Sequence, residues 1–354
     1  MSGKNEIYVI IPHYNGIEIL RNCLKTLYEN HFTDFYTIVI DNGSKDGSQD
    51  MVRQEFPQVR LVQNESNCGY AGACNQGIVL AESPYVLLLN NDTEMPANFL
   101  DEMIQAIKND PRVAMVQPKI LSIQDKSHFD YSGGAGGELD WFGYPFARGR
   151  IFDDVEKDTG QYDGLDQRVF WTSGCALLLR KSIIEEIGTL DEDFFAHQEE
   201  IDLNWRAQLA GYYNIVTTKT HIYHYSGYTL KGDNQRKMYL NHRNNLIMMI
   251  KNYSGLRLML LLPLRLFMEI LTIFADLLFW EGKRARAVVK AMIDLTKQID
   301  PIRRKRKQVQ KLRCVSDRQI MKNMYPGSVV FAHFVRKRDA QECVLKFRKR
   351  MASG

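Results

Sequence analysis

Three carboxylates stand within four residues in His197-Gln-Glu199-Glu200-Ile-Asp202. Crowded in a cleft, like charges raise one another's pKa, which tunes a carboxylate toward use as a base near neutrality. The same residues would also serve as a solvated first helical turn that complements the helix dipole. On a helix, Asp202 and Arg206 lie at i,i+4 and can pair. Asn90-Asn91-Asp92 is a second candidate. A hard divalent ion takes one or two carboxylates and completes its shell with substrate phosphates. Asp92 could therefore hold Mg2+ or Mn2+, although Asn and Asp are equally ordinary turn residues. In His221-Ile-Tyr-His224 an imidazole could complete such an oxygen-rich site; a lone histidine is more often structural.

Two further clusters suit nucleotide contacts. Asp41-Asn-Gly-Ser44 offers a carboxylate that can accept from a base N–H, or simply a turn with Ser48 capping the next helix. Asn67-Cys-Gly-Tyr-Ala-Gly-Ala-Cys-Asn75 has glycines that permit close backbone approach. It is neither a Gly-x-Gly-x-x-Gly dinucleotide loop nor a phosphate loop ending in Gly-Lys-Ser/Thr.

The elements that must position these residues read as alternating strand and helix. Ile7–Ile11, Thr37–Ile40, Val59–Val62 and Tyr85–Leu89 are short apolar runs rich in β-branched residues. Helical patterns over Gly16–Asn30, Ser48–Phe56 and Ala71–Ala81 separate them. This alternation with short polar loops is the signature of a parallel α/β sheet. Ligands of such sheets bind beyond the carboxyl ends of the strands. Pro12–Asn15, Asp41–Ser44 and Asn90–Asp92 each follow a strand directly, so all three are expected to face one crevice. Gln124 to Asp166 has no clear period and reads as a long functional loop. Arg168 to Leu179 returns to strand character around Ser173-Gly174, and Leu190 to Gly211 holds the acidic helix.

The chain of 354 residues is 45% apolar and 25% charged, the balance of an ordinary globular protein. Its net charge of +4 hides an asymmetry. From Glu281 onward there are 21 Lys+Arg against 6 Asp+Glu, leaving 25 against 36 before it. A basic tail suits an anionic surface or a solvated helical face. The six cysteines include no Cys-x-x-Cys pair, which excludes zinc-ribbon and dithiol redox motifs and fits a reducing cytosol. The polar start, Met1 to Glu6, does not resemble a signal peptide.

Leu256 to Trp280 is the most apolar stretch and is long enough to span a bilayer. It nevertheless carries Arg265, Glu269, Thr272 and Asp276 in one stripe of roughly 60° at 100° per residue. Stacked polar residues are unsuited to a lipid-spanning helix. They suit a helix lying in the membrane interface, or one packed on the protein or on a second copy. Basic runs Arg303–Lys307, Arg336–Arg338 and Arg348–Arg350 follow, a pattern that favours an anionic membrane over nucleic acid. No stacking motif points to RNA.

Taken together and in order, these motifs resemble the family 2 glycosyltransferases, over about Ile7 to Tyr228. The branch resembled is that of rhamnosyltransferase-like enzymes of bacterial polysaccharide assembly. The resemblance implies a GT-A (Rossmann-like) α/β fold, a mainly parallel sheet flanked by helices, with a helical basic C-terminal extension. The catalytic domain would be 1–228, its nucleotide-sugar half about 1–120 and its acceptor half about 121–228. Residues 229–354 would form the membrane-associating region. The resemblance also implies that Pro12, Tyr14, Asn15, Asp41, Asn67, Gly69, Asn75, Asn90 and Asn91 line the nucleotide pocket. Asp92 and His224 would ligate Mg2+ or Mn2+, and Trp171, Ser173, Gly174 and Ala176 would line the donor-sugar and acceptor side. Glu200 falls in the base position, with Glu199 and Asp202 as alternatives.

The implied reaction is an inverting transfer from a nucleotide-diphosphate sugar, carrying rhamnose or a hexose, to a saccharide or lipid-linked saccharide. The implied place is the cytoplasmic face of the cell membrane, with a homo-oligomer open. A sugar nucleotidyltransferase would share the topology but resembles its kin in a Gly-rich, Arg-containing loop where Pro12-His-Tyr-Asn15 stands here. A catalytically inactive scaffold of a polysaccharide assembly complex is the other alternative, and the intact acidic cluster and Asp92 argue against it.

Overall fold

Apolar runs of four or five residues bounded by turn residues become strands; those at 7–11, 37–40 and 85–89 are buried on both faces, as in a sheet covered by helices, and that at 59–62 lies at the sheet edge. The computed structural model describes residues 5–225 and 234–352. Ser226 to Tyr228, with the expected domain boundary, lie outside the described residues.

In chain order the first elements are β1 (Ile7–His13), α1 (Ile17–Tyr28), β2 (Phe35–Asp41), α2 (Ser48–Glu55), β3 (Arg60–Gln63), α3 (Gly69–Leu80), β4 (Tyr85–Leu89), β5 (Thr93–Glu94), α4 (Phe99–Lys108) and β6 (Val113–Ser122). Then come β7 (Gly137–Leu139), β8 (Pro145–Ala147), β9 (Arg150–Ile151), β10 (Asp154–Val155), β11 (Arg168–Val169), β12 (Ala176–Arg180), α5 (Lys181–Ile187), α6 (Glu199–Leu209) and β13 (Tyr213–His224). Seven helices follow: α7 (Asn234–Asn252), α8 (Gly255–Leu278), α9 (Gly282–Lys297), α10 (Ile299–Lys311), α11 (Asp317–Lys322), α12 (Val329–Phe334) and α13 (Ala340–Ala352).

The main sheet runs β11-β13-β6-β12-β4-β1-β2-β3, with β5 paired to β13. β3, β2, β1 and β4 are mutually parallel, and β12 enters antiparallel between β4 and β6. This insertion is tertiary: β12 aligns Ala176 with Leu89, which brings the segment before it, Ser173–Cys175, to the carboxyl end of β4. Apolar cores cover both faces of the sheet, one under α1 and α4 and one under α3 and α5.

Two expectations need correction. The stretch 124–166 is not a patternless loop. It folds into the small antiparallel sheet β10-β9-β8-β7, whose strands of two or three residues are too short to show a period in sequence. Ser48 does not cap α2; Gly47 holds the cap position, and the Ser48 hydroxyl donates to Asp46.

The tail is tied to the sheet region through a third core. Trp205 on α6 packs edge-on against Phe170 and Tyr253, and Met248, Met249, Ile302, Val309 and Met324 join them. Within α8 the polar stripe faces inward. Arg265 lies over the Tyr144 ring at 3.9 Å and donates to Asn245 at 3.2 Å, while Glu269 pairs with Arg265 and sits 2.6 Å from His242 Nδ1. The opposite face of α8 is bare: Met259, Leu260, Leu264, Phe267, Leu271 and Phe274 are all exposed, and Trp280 beyond its end is 95% exposed. Five basic residues were expected to act alike in Arg303–Lys307. The structure divides them, because Lys305 is bound to Asp191 and Asp193 and Arg306 to the Ile250 and Tyr253 carbonyls. Arg303, Arg304 and Lys307 remain exposed.

Candidate active site

The carboxyl ends of β1, β2 and β4 meet, as their order requires. The Asn42 amide donates to the His13 carbonyl at 2.8 Å, and the Asn15 amide to Ser44 Oγ at 2.8 Å. Asn91 Nδ2 is 2.8 Å from His13 Nδ1. Pro12–Asn15, Asp41–Ser44 and Asn90–Asp92 therefore adjoin. Asp41 is buried and accepts from the Ser44 amide (3.2 Å) and Gln49 Nε2 (2.9 Å). Tyr14 is exposed at the rim, and Asn67 Oδ1 closes a turn onto the Gly69 amide. Gly69 has φ +81°, and a Cβ there would meet the Phe195 carbonyl at 2.7 Å, so only glycine lets the 195 loop lie on the start of α3.

Asp92 and His224 form the second feature. β5 pairs Thr93 with His224, and this register sets Asp92 beside the imidazole. His224 Nε2 is 3.2 Å from Asp92 Oδ1, and Nδ1 is 2.9 Å from Asp130 Oδ1. Asp92 Oδ1 is buried without an aligned hydrogen bond. Cys175 Sγ lies 3.6 Å from Nε2, and the Asn90 amide donates to the Cys175 carbonyl at 2.9 Å. Burial would push the His224 pKa down, but Cys175, Asp92 and Asp130 outweigh it and hold the ring well above its usual value. The arrangement fits a divalent ion. A histidine whose Nδ1–H is taken by a carboxylate presents Nε2 as a ligand, and here Nε2 and an unsatisfied carboxylate oxygen face one another. No three His, Cys, Asp or Glu side chains among the described residues form a ligand set by themselves, so remaining positions would fall to substrate oxygens.

The acidic helix start is the third feature. Glu199 is buried, and one oxygen of each of Glu199 and Glu200 is enclosed without a hydrogen-bond partner. Burial pushes Glu200 up to about 7. Burial, with Glu200 next to it, raises Glu199 further. Both carboxyls are thus held above the ordinary glutamate range. Preceding residues approach α6 with Phe195, His197 and Gln198 all at positive φ. The half-buried Tyr70, near enough to Glu199 to feel its charge, donates to the Gly174 carbonyl at 2.7 Å. A Cβ on Gly174 would crowd the Tyr70 hydroxyl at 2.9 Å. The Ser173 hydroxyl donates to the Ser132 carbonyl, and its backbone amide donates to Gln117 Oε1 at 2.8 Å.

Three expected site residues are used to hold the fold. Asp202 is fully buried and bound by Arg206 Nε (3.0 Å), Lys251 Nζ (2.9 Å) and Asn252 Nδ2 (2.8 Å), so it is not presented as a base. Asn75 is buried, donating to the Leu190 carbonyl and Glu192 (both 2.9 Å) and accepting from the Leu190 amide, which turns it away from the nucleotide side. Trp171 is 6% exposed, donates to the Glu138 carbonyl at 2.8 Å and lies flat on Gly137, where a Cβ would stand 2.0 Å from its ring. It belongs to the third core and not to a sugar pocket. Conversely, His13, Tyr70, Asp130 and Asn244 were not singled out in sequence. Only Asn241-His-Arg-Asn-Asn245, a five-residue polar block between the apolar runs Met238–Leu240 and Leu246–Ile250, carried a readable signal.

The glycosyl transferase family 2 model matches residues 8–188, and the chain belongs to that family. It is 25% identical over 239 residues to the N-acetylglucosaminyl-diphospho-decaprenol L-rhamnosyltransferase of Mycobacterium tuberculosis, covering 62% of this chain and 75% of that protein. Its fold is similar to GalNAc-T7 solved with UDP, GalNAc and Mn2+, at TM-score 0.55 and 14% identity, covering 72% of this chain but only 49% of that one. It is also similar to the mannosyltransferase PcManGT from Pyrobaculum calidifontis solved with GDP-Man and Mn2+, at TM-score 0.51 and 15% identity, covering 91% and 88%. The fold is GT-A.

Proposed function

We propose that the chain transfers a sugar, rhamnose or a hexose, from a nucleoside diphosphate to a saccharide or lipid-linked saccharide hydroxyl with inversion at the anomeric carbon. The observation that carries this is the adjacent Glu199–Glu200 pair, each with one carboxyl oxygen enclosed without a hydrogen-bond partner and each pushed up by burial. Glu200 takes the proton from the acceptor hydroxyl. The acceptor oxygen attacks the anomeric carbon from the face opposite the diphosphate, so the new bond forms as the old one breaks. Asp92 and His224 would hold Mg2+ or Mn2+, which when bound supplies positive charge against the departing diphosphate. Pro12, Tyr14, Asn15, Asp41 and Asn67 flank the nucleotide; Ser173 and Gly174 flank the sugar.

We further propose that the bare face of α8 rests on the cytoplasmic surface of the membrane without crossing it. Arg265 and Glu269 of its polar stripe are spent on α7 and Tyr144, and Asp276 on Arg284 of α9, leaving an apolar face and Trp280 outward. Lys283, Arg284 and Arg286 follow directly and are exposed, which suits an anionic interface. The rhamnosyltransferase relative, named for a decaprenol-linked acceptor, supports a lipid-linked acceptor here.

The test is a screen of UDP-, GDP- and dTDP-sugars for hydrolysis by the purified protein with Mn2+ or Mg2+, beside Glu200→Gln. Metal-dependent release of one nucleotide, lost in Glu200→Gln, is the expected result. No turnover of any donor, with or without acceptor saccharides, would sink the proposal.

A further inference from the structure

We propose that Asn244 is a positioning residue for the Glu199–Glu200 pair, an inference that rests on the reading of Glu200 as the base. α6 starts without a side-chain cap. The backbone entering it has φ 62° at Phe195, 68° at His197 and 74° at Gln198. Side chains other than glycine rarely adopt this region, and a run that does so persists only when its surroundings fasten it.

Asn244 supplies that fastening from α7. It is fully buried. Its Nδ2 donates to the carbonyls of Phe194 (3.0 Å), Ala196 (3.0 Å) and His197 (2.8 Å). Arg243 Nε donates to Asn244 Oδ1 at 2.9 Å. An amide turned the other way would set its NH2 against the guanidinium and its oxygen against three carbonyls, so Arg243 fixes the amide with its donors on the loop. Arg243 also donates to the Asp193 carbonyl, and Asn245 Nδ2 reaches Gln198 Oε1 at 3.4 Å. Arg243 and Asn244 thereby hold the backbone carbonyls of 193, 194, 196 and 197, and Asn245 meets the side chain of Gln198.

The consequence is chemical as well as structural. The high pKa of the acidic pair comes from burial, and the backbone that packs on the start of α3 through Phe195 leads directly into that pair. Asn244 is neutral and does not touch Glu200. Its loss acts through the loop: the carboxyls rehydrate, Glu200 ionises at lower pH, and its aim is lost.

The experiment compares wild type, Asn244→Ala and Glu200→Gln using the nucleotide sugar that wild type hydrolyses fastest. It reads kcat and its pH profile, binding of UDP, GDP and dTDP by calorimetry, and amide exchange over 195–200. Asn244→Ala is expected to lower kcat at least tenfold, leave nucleotide binding within about twofold, shift the acidic limb of kcat to lower pH and speed exchange in the loop. A folded Asn244→Ala protein with wild-type kcat, pH profile and exchange overturns the proposal, as does a kcat loss with the acidic limb and exchange unchanged. If Asn244→Ala does not fold, Arg243→Lys, which removes the Nε donor that orients the amide, is read by the same criteria. A Glu200→Gln protein with wild-type activity fails the base reading itself. An inactive Glu200→Gln beside an unaffected Asn244→Ala fails only the positioning.

Discussion

Asp92 Oδ1 lies 3.2 Å from His224 Nε2, both buried, while the other imidazole nitrogen is 2.9 Å from Asp130. Asp92→Asn keeps the shape but removes the charge, so Mn2+-dependent donor hydrolysis should fall by roughly 10²-fold or more. Calorimetric titration of Mn2+ in the presence of UDP or GDP should show the ion binding weakly to the variant. Full activity of Asp92→Asn in excess chelator would remove the metal from the mechanism.

The acidic pair predicts a pH profile. Burial keeps Glu200 protonated up to about 7, above the usual 4.5 of a free glutamate, so the base form appears only as pH rises through that value. kcat should therefore climb between about pH 6 and pH 8. The stability effect has the opposite sense. The folded chain holds this proton more tightly than the unfolded one, so the contribution is complete below the unfolded pKa and is lost as pH rises through about 7. In Glu200→Gln the acidic limb should vanish with the activity, and the melting temperature should lose this part of its pH dependence. A wild-type limb near 4.5 would contradict the burial argument.

Asp202 and Glu200 separate by stability. Asp202→Asn leaves Arg206 buried against a neutral partner and Lys251 with Asp191 as its one remaining carboxylate, a loss on the order of 3–5 kcal/mol. Thermal melts should drop sharply for Asp202→Asn and little for Glu200→Gln. The reverse ranking would return Asp202 to candidacy as the base.

Trp171→Ala should behave as a core truncation, costing on the order of 3–5 kcal/mol, because the indole lies on Gly137 and holds the Glu138 carbonyl. Donor KM measured well below the variant's melting temperature should be near that of wild type. A large rise in KM with an unchanged melt would place this ring in the sugar pocket after all.

For the membrane reading, full-length protein should pellet with anionic vesicles, less so at high salt. Replacing Phe267, Leu271 and Phe274 by serine should abolish pelleting while donor hydrolysis persists, since these side chains are exposed. Neutralising Arg303, Arg304 and Lys307 should weaken it; Lys305 and Arg306 must be spared because they hold the fold. Protein that stays in the supernatant at low salt would instead mark the bare face as a contact between two copies, which light scattering would show as a dimer.

What the sequence determined by itself follows from local rules. Buried parallel strands read as continuous apolar runs, so β1, β2 and β4 and the polar clusters at their ends were legible, and so was the crevice they share. The i,i+4 pairing of Asp202 with Arg206 and the common face of Arg265, Glu269 and Asp276 were likewise fixed by helical period. The tertiary structure decided which polar residues are spent on the fold. Asn75, Trp171 and Asp202 are ordinary candidates in one dimension, but their partners, Leu190, Glu138 and Lys251, lie between about 30 and 115 residues away. It also decided which way the polar stripe of α8 faces, since period fixes which residues share a face but not what that face meets. The base loop was beyond sequence for the same reason. Positive φ at Phe195, His197 and Gln198 contradicts local preference, and only an amide from a helix nearly 50 residues later, held in turn by Arg243, makes that backbone the stable one.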